Sequence, residues 1–154
     1  MKDQDLELAK MKLIKEDLSL VIVKNEKVIF QTKKQGVNGF LKAITSLNQE
    51  LVKASVADKI VGVAAAMLCV YSGISSIFTL TISEGGIKTL EDNNISFVYK
   101  EKVSNILNQK KTDVCPFEKI AIGIVTLSSY TIGVINNKTP IKDGIINFNK
   151  ELME

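Results

Sequence analysis

Residues 55–83 read SVADKIVGVAAAMLCVYSGISSIFTLTIS, and the fold turns on how that stretch is understood. From Ile60 to Ser83 it carries no charge, which by length alone would suit a membrane span. Ser72-Gly73 and Ser75-Ser76 break the run, and β-branched residues crowd its second half. A buried helix turning into a buried strand fits this pattern better than a span. Ser55-Val56-Ala57-Asp58 matches a capping box, with Asp standing where Glu or Gln is usual. A helix is therefore expected to open there and to run through ADKIVGVAAAMLCVY. Such a helix is apolar on nearly every side, which marks it as buried. Gly62 and Ala64 to Ala66 would let neighbouring backbone approach, and Gly73 would end it. Ile77 to Ile82 then reads as a central strand, with Ser83 capping a short helix through about Asp92. Glu84 falls in that helix's first turn, where a negative charge suits the dipole.

Working outward, residues 3–16 place Leu6, Leu13 and Ile14 among charges, an amphipathic helix. Leu18 to Val23 and Val28 to Phe30 are strand candidates joined by a turn at residues 24–27, so a hairpin is expected. Gly36-Val37-Asn38-Gly39 punctuates a loop ahead of a helix from about Gly39 to Val52. Ile95 to Tyr99 reads as another strand and residues 101–109 as a short helix. Cys115-Pro116 opens a helix to about Leu127, and Asp143 to Leu152 forms a final one. Strands alternating with helices of this length predict an α/β fold, a three-layer α/β/α sandwich. The sheet should be mixed, because the opening hairpin is antiparallel and the unit from Ile77 to Tyr99 parallel.

The 154 residues suit one domain, taken as spanning residues 1–154. A chain of that size needs no disulfide or metal staple. The net charge of +3 is spread out, with tight basic runs only at Lys33-Lys34 and Lys110-Lys111. A nucleic-acid footprint needs a clustered basic face and stacking aromatics; aromatics total 6% and Trp is absent. Neither nucleic acid nor membrane is expected as a partner. The N-terminal stretch MKDQDLELAKMKLIKED is charged throughout, unlike a secretory signal. Cys69 and Cys115 are the only cysteines, and with no disulfide framework a cytoplasmic, reducing setting is expected.

Histidine is absent. That removes Ser-His and Cys-His nucleophile pairs and the mixed Cys/His zinc sites. The common glycine-rich phosphate loops are absent too. No metal and no cofactor are expected. Asp58-Lys59 reads either as a cap with a solvated lysine or as two groups at a pocket mouth. Ser83-Glu84-Gly85-Gly86 sits after a strand, where ligands of α/β sheets bind, although its glycines would equally ease a tight strand-to-helix turn. Cys115-Pro116-Phe117-Glu118 reads as a capping box with Cys115 at the cap, Pro116 at the first helical position and Glu118 at the third. A helix start favours thiolate at Cys115, Glu118 opposes it, and Cys69 should be inert in its apolar run.

In order, Gly36-Val37-Asn38-Gly39, Ala57-Asp58-Lys59-Ile60-Val61-Gly62-Val63-Ala64-Ala65-Ala66, Thr81-Ile82-Ser83 and Cys115-Pro116-Phe117-Glu118 resemble a bacterial and archaeal family. That family is a domain of unknown function with a cytidine-deaminase-like fold. The resemblance covers roughly residues 5–127, and its central stretch is the most specific part. It implies a helix start and a strand end converging on a pocket. Deaminases of that fold carry His/Cys-Ala-Glu on one helix and Pro-Cys-x-x-Cys on the next, holding zinc. The counterparts here look like Asp58-Lys59 and Ser83-Glu84-Gly85-Gly86, without a zinc ligand set. The expectation is a small-molecule binding domain for a nucleotide-like or anionic metabolite, with a sensor or accessory role and no zinc-dependent deamination. Its candidate ligand-binding residues are Asn38, Asp58, Lys59, Ser83, Glu84, Cys115 and Glu118. Two alternatives remain open: a metal-free enzyme using Cys115 as nucleophile or Lys59 as base or Schiff-base amine, and a structural or interaction module. Homo-oligomerisation also stays open.

Overall fold

The computed structural model describes residues 2–107. The elements run α1 (Lys2–Lys15), β1 (Leu20–Lys24), β2 (Lys27–Thr32), α2 (Asn38–Leu47), a 3₁₀ turn (Asn48–Leu51), β3 (Ser55–Val61), α3 (Val63–Ser72), β4 (Ser76–Ser83), α4 (Glu84–Asp92) and β5 (Ser96–Val103). The strands form one sheet in the order β2-β1-β3-β4-β5. β1 is antiparallel to both β2 and β3, while β3, β4 and β5 are mutually parallel. The fold is the expected α/β sandwich with a mixed sheet. On one face α1 packs Ala9 and Leu13 onto Val21, Val23, Ala57 and Phe78. On the other, α2, α3 and α4 pack Phe40, Ala43, Ala66, Leu68 and Leu90 onto Ile22, Val56 and Ile77.

One expectation fails at the centre of the sheet. Ser55-Val56-Ala57-Asp58 is not a capping box; it is the first half of β3. α3 begins only at Val63, with Gly62 as its capping residue. The reason is physical. A strand flanked by β1 and β4 and covered on both faces loses the apolar-polar alternation that marks a half-exposed strand. Here it runs straight into a buried helix with only Gly62 between them. Gly73 does end that helix, in the left-handed region at φ 74°. Two smaller differences follow. β4, expected as the central strand, lies beside the true centre, β3. Residues 101–103, expected to be helical, extend β5, because pairing with β4 continues as far as Val103. The helices expected at Cys115–Leu127 and Asp143–Leu152 lie outside the described residues. Among the described residues, no helix is long and apolar enough to cross a membrane.

The hairpin between β1 and β2 turns through Asn25 and Glu26, both left-handed at φ 52° and 64°. Such a turn matches the twist of the strands it joins, but it strains residues other than glycine. The buried Asp5 of α1 compensates. Its Oδ2 accepts from Asn25 N at 3.1 Å and its Oδ1 from Glu26 N at 2.8 Å. Asp5 thus fixes the hairpin and docks α1 on it. Asp5→Ala should cost about 1–3 kcal/mol, as expected for charge-assisted hydrogen bonds. Urea unfolding would read this, and a loss below about 0.5 kcal/mol would mean the turn holds itself.

Both inner parallel strands also change face near their carboxyl ends. Residues five apart in a regular strand point to opposite sides. Yet Val56 and Val61 lie in the same buried cluster, as do Ile77 and Ile82. Local bonds mark the switch: Ile60 N donates to Asp58 Oδ1 at 3.3 Å, and Thr79 Oγ1 donates to the Thr81 carbonyl at 3.0 Å. Asp58 and Thr79, paired across β3 and β4, stand just before it.

Candidate functional site

β2, β3 and β4 run in the same direction, since β1 is antiparallel to both β2 and β3. α2, α3 and α4 follow these strands in turn. All of them therefore begin at one end of the sheet, the carboxyl end of the strands, and pack on one face. Ligands of α/β sheets sit outside this end, and helix starts present backbone N–H groups and a positive dipole end to anions.

The helix starts differ. Ser83 is buried, and its Oγ accepts from Gly86 N at 3.0 Å, closing the cap of α4 as expected. Glu84 is exposed in the first turn. At α2 and α3 the capping residues are Val37 and Gly62. Neither of these residues caps its helix with its own side chain, and neither helix has an acid in its first turn. Gly85 and Gly86 serve contact between α4 and α3. A Cβ on Gly85 would come within 2.5 Å of Val63 Cγ2. One on Gly86 would lie 3.0 Å from the Val61 carbonyl and 3.3 Å from that of Gly62. These glycines bring the starts of α3 and α4 together.

Asp58 pairs with Leu20 on one side and Thr79 on the other. It faces α3, where its charge adds to burial in pushing the Cys69 thiol up. The side chain is half-buried. Desolvation pushes its carboxyl up to about 7, against hydrogen bonds from the Ile60 and Lys59 backbone that favour the charged form. Among the described residues no cation pairs with it. Lys59 is turned to the α1 side of the sheet, where its Nζ lies 2.7 Å from Asp17 Oδ1. That hydrogen bond and charge hold the Asp17 carboxyl below its ordinary value, with Lys33 adding to the effect. Adjacent strand residues diverge, so Asp58 and Lys59 do not share one pocket mouth, and neither caps a helix.

Of the expected site residues, then, Asn38, Asp58, Ser83 and Glu84 reach the same end of the sheet, and Lys59 reaches it on the other face. Asn38 is exposed as the first residue of α2. Cys115 and Glu118 lie outside the described residues. Sequence reading weighed Lys33 and Lys34 only as a nucleic-acid footprint; they stand between the end of β2 and the start of α2. Their signal was position: a basic pair between a hairpin strand and a helix start matters locally even where it is too sparse for nucleic acid. Cys69 is fully buried within α3.

The helix after β3 starts at Gly62-Val63-Ala64-Ala65, not at Asp58-Lys59. Among the described residues no group of His, Cys, Asp and Glu is placed to hold a metal.

Comparison with known proteins follows the same lines. The crystal structure of a DUF1893 family protein (TM1506) from Thermotoga maritima is similar, with a TM-score of 0.76 and 26% identity over 97% of this chain and 92% of that one. Lower similarity extends to a RibD from Acinetobacter baumannii, with a TM-score of 0.46 and 18% identity over 64% of this chain and 33% of that one. It extends also to the dCMP deaminase of the cyanophage S-TIM5, with a TM-score of 0.45 and 12% identity over 66% of this chain and 96% of that one. No curated protein matches. The TM1506 family model, described as a domain of unknown function (DUF1893), matches residues 8–137. The chain therefore belongs to the DUF1893 family.

Proposed function

We propose that this chain is a cytoplasmic binding domain for a small anionic metabolite of nucleotide-like kind, working as a sensor or accessory protein without zinc-dependent deamination. One observation carries the reading: α2, α3 and α4 begin at the same end of one sheet, with Lys33 and Lys34 leading into α2. An anion there meets the positive ends of these helices and mobile lysine charge together. Glu84 and Ser83 belong to the α4 side of this end; Asn38 belongs to the α2 side.

The test is thermal unfolding across a panel of nucleotides and phosphorylated metabolites. A true ligand at a hundred times its dissociation constant stabilises by about 2.7 kcal/mol. Replacing both Lys33 and Lys34 by Ala should weaken that ligand at least tenfold. Both lysines are exposed, so the unliganded stability should stay within about 0.5 kcal/mol. A ligand that stabilises wild type and double variant equally would place binding elsewhere.

A further inference from the structure

We propose that the α1-side face of β4 and β5 is a docking surface for residues 115–127 of the same chain, which return over β5 from the carboxyl end of the sheet. Among the described residues the two faces of the sheet carry unequal cover. α2, α3 and α4 pack on one face, and α1 alone packs on the other. A helix is about 10 Å across and strands lie about 4.8 Å apart, so one helix spans roughly two strands. α1 leans toward the opening hairpin, with Asp5 bonded to its turn and Lys12 Nζ 3.0 Å from Gln31 Oε1. The opposite flank of α1, Lys10 and Ile14, looks toward β4, where Lys10 Nζ stands 5.1 Å from the centre of the Phe78 ring. Beyond that flank the face is apolar and open. Val98 pairs with Phe78 across parallel strands, so it points to the α1 side, and it is 53% exposed. Leu80, next along this face of β4, is only partly buried. Ile14, on the flank above, is 47% exposed.

The sequence after β5 fits this surface. Residues 115–127 read CPFEKIAIGIVTL, in which Phe117, Ile120, Ala121, Ile124 and Leu127 recur as the apolar stripe of a helix. At 1.5 Å per residue such a helix is about 20 Å long, against roughly 26 Å for the eight residues of β5. β5 ends at Val103, at the carboxyl end of the parallel strands. Residues 104–114 reach up to about 35 Å when extended, ample to climb from the sheet edge onto a face. The α4 side of β5 is already taken, because Phe97 packs there against the cluster under α2, α3 and α4. The α1 side is the one left. A tethered segment meets that face at an effective concentration on the order of millimolar, which favours it over a second copy. Returning from this end, the segment runs antiparallel to β5. Cys115 and Glu118 then lead it from the end of the sheet at which α3 and α4 begin.

The test uses the full-length chain with its Ile, Leu and Val methyl groups labelled for NMR. Within one molecule, nuclear Overhauser contacts should join the methyls of Val98 and Leu80 to those of Ile120 or Ile124. Amides at 119–127 should exchange with solvent roughly a hundredfold more slowly than in a free peptide. Val98→Asp puts a charge into the contact and should speed that exchange about tenfold. Val98→Ala only trims the contact and should speed it less; it carries the test if the aspartate variant does not fold. A half-exposed valine that nothing covers would leave exchange at 119–127 unchanged in both variants, and that result would overturn the proposal. So would exchange at 119–127 as fast as in a free peptide. A sample mixing labelled and unlabelled chains separates the remaining occupant: contacts to Val98 that arise only between molecules would assign the face to a second copy and overturn the proposal as well.

Discussion

Asp58→Asn is expected to stabilise the folded protein at pH 8 by about 2–4 kcal/mol, and to do little at pH 4. The sign follows from the direction in which folding moves the carboxyl. It rises from its ordinary 3.8 to about 7 on folding, mainly through desolvation. Well below its ordinary 3.8 it is neutral in both folded and unfolded chains, and the fold bears no penalty. As the pH climbs, the unfolded chain ionises first and gains from it. Stability therefore falls between about pH 4 and pH 7 and stays level above. A tenfold difference in proton affinity is worth about 1.4 kcal/mol, so a rise of this size sets a ceiling of roughly 4 kcal/mol. Asparagine has nearly the same shape and no charge to desolvate, and its amide oxygen can still accept from Ile60 N. Urea unfolding of both proteins at pH 4 and pH 8 gives the comparison. Should the variant be less stable than wild type at pH 8, the carboxylate is a structural acceptor for the β3 backbone and its neutral form has no special place.

Among the described residues Asp58 has no cationic partner, so desolvation of its carboxyl is not offset by a paired charge. Two or more kcal/mol is a large fraction of the stability of a chain this size. Asp58 also stands where β3 outruns β1, at the end where α2, α3 and α4 begin. The desolvation of its carboxyl distinguishes Asp58 from Ser83 and Gly85, whose local geometry is explained by capping and packing.

Much of this was readable from local signals. The β1–β2 hairpin announced itself by two β-branched runs around a polar turn. Ser83 and Gly73 declared the start of one helix and the end of another, because capping depends on a few adjacent residues. β3 was not legible, since its first half, Ser55 to Ala57, is buried on both faces and nothing polar separates Val61 from α3. Reading it as helix placed Asp58 and Lys59 together at a helix start. As strand residues they diverge, one toward Cys69 and the other toward Asp17. The Lys59–Asp17 pair spans forty-two positions in the chain, a distance over which no local pattern carries information. Nor could spacing reveal that α2, α3 and α4 share one end of the sheet; that depends on β1 being the antiparallel strand.

Gly85→Ala and Gly86→Ala should both destabilise the protein, but only the first should be rescued by trimming Val63. Alanine improves helix propensity over glycine by about 1 kcal/mol, so on propensity alone either change would help α4. The contacts decide otherwise. The new methyl at position 85 would lie 2.5 Å from Val63 Cγ2, a side-chain atom. Overpacking of that kind costs about 1–3 kcal/mol. In a Val63→Ala background the clashing methyl is gone, and Gly85→Ala should become neutral or mildly stabilising, a coupling of about 1–3 kcal/mol in a double-mutant cycle. At position 86 the methyl would meet the carbonyls of Val61 at 3.0 Å and Gly62 at 3.3 Å, with Ile82 Cγ1 at 3.2 Å. Backbone oxygens cannot rotate away, so α4 must move outward, which also strains the bond from Gly86 N to Ser83 Oγ. A cost of about 2–3 kcal/mol is expected, unchanged by Val63→Ala. Denaturant unfolding of the single and double variants measures both cycles. Rescue of Gly86→Ala by Val63→Ala would mean that side chains, not backbone, set the spacing between the starts of α3 and α4.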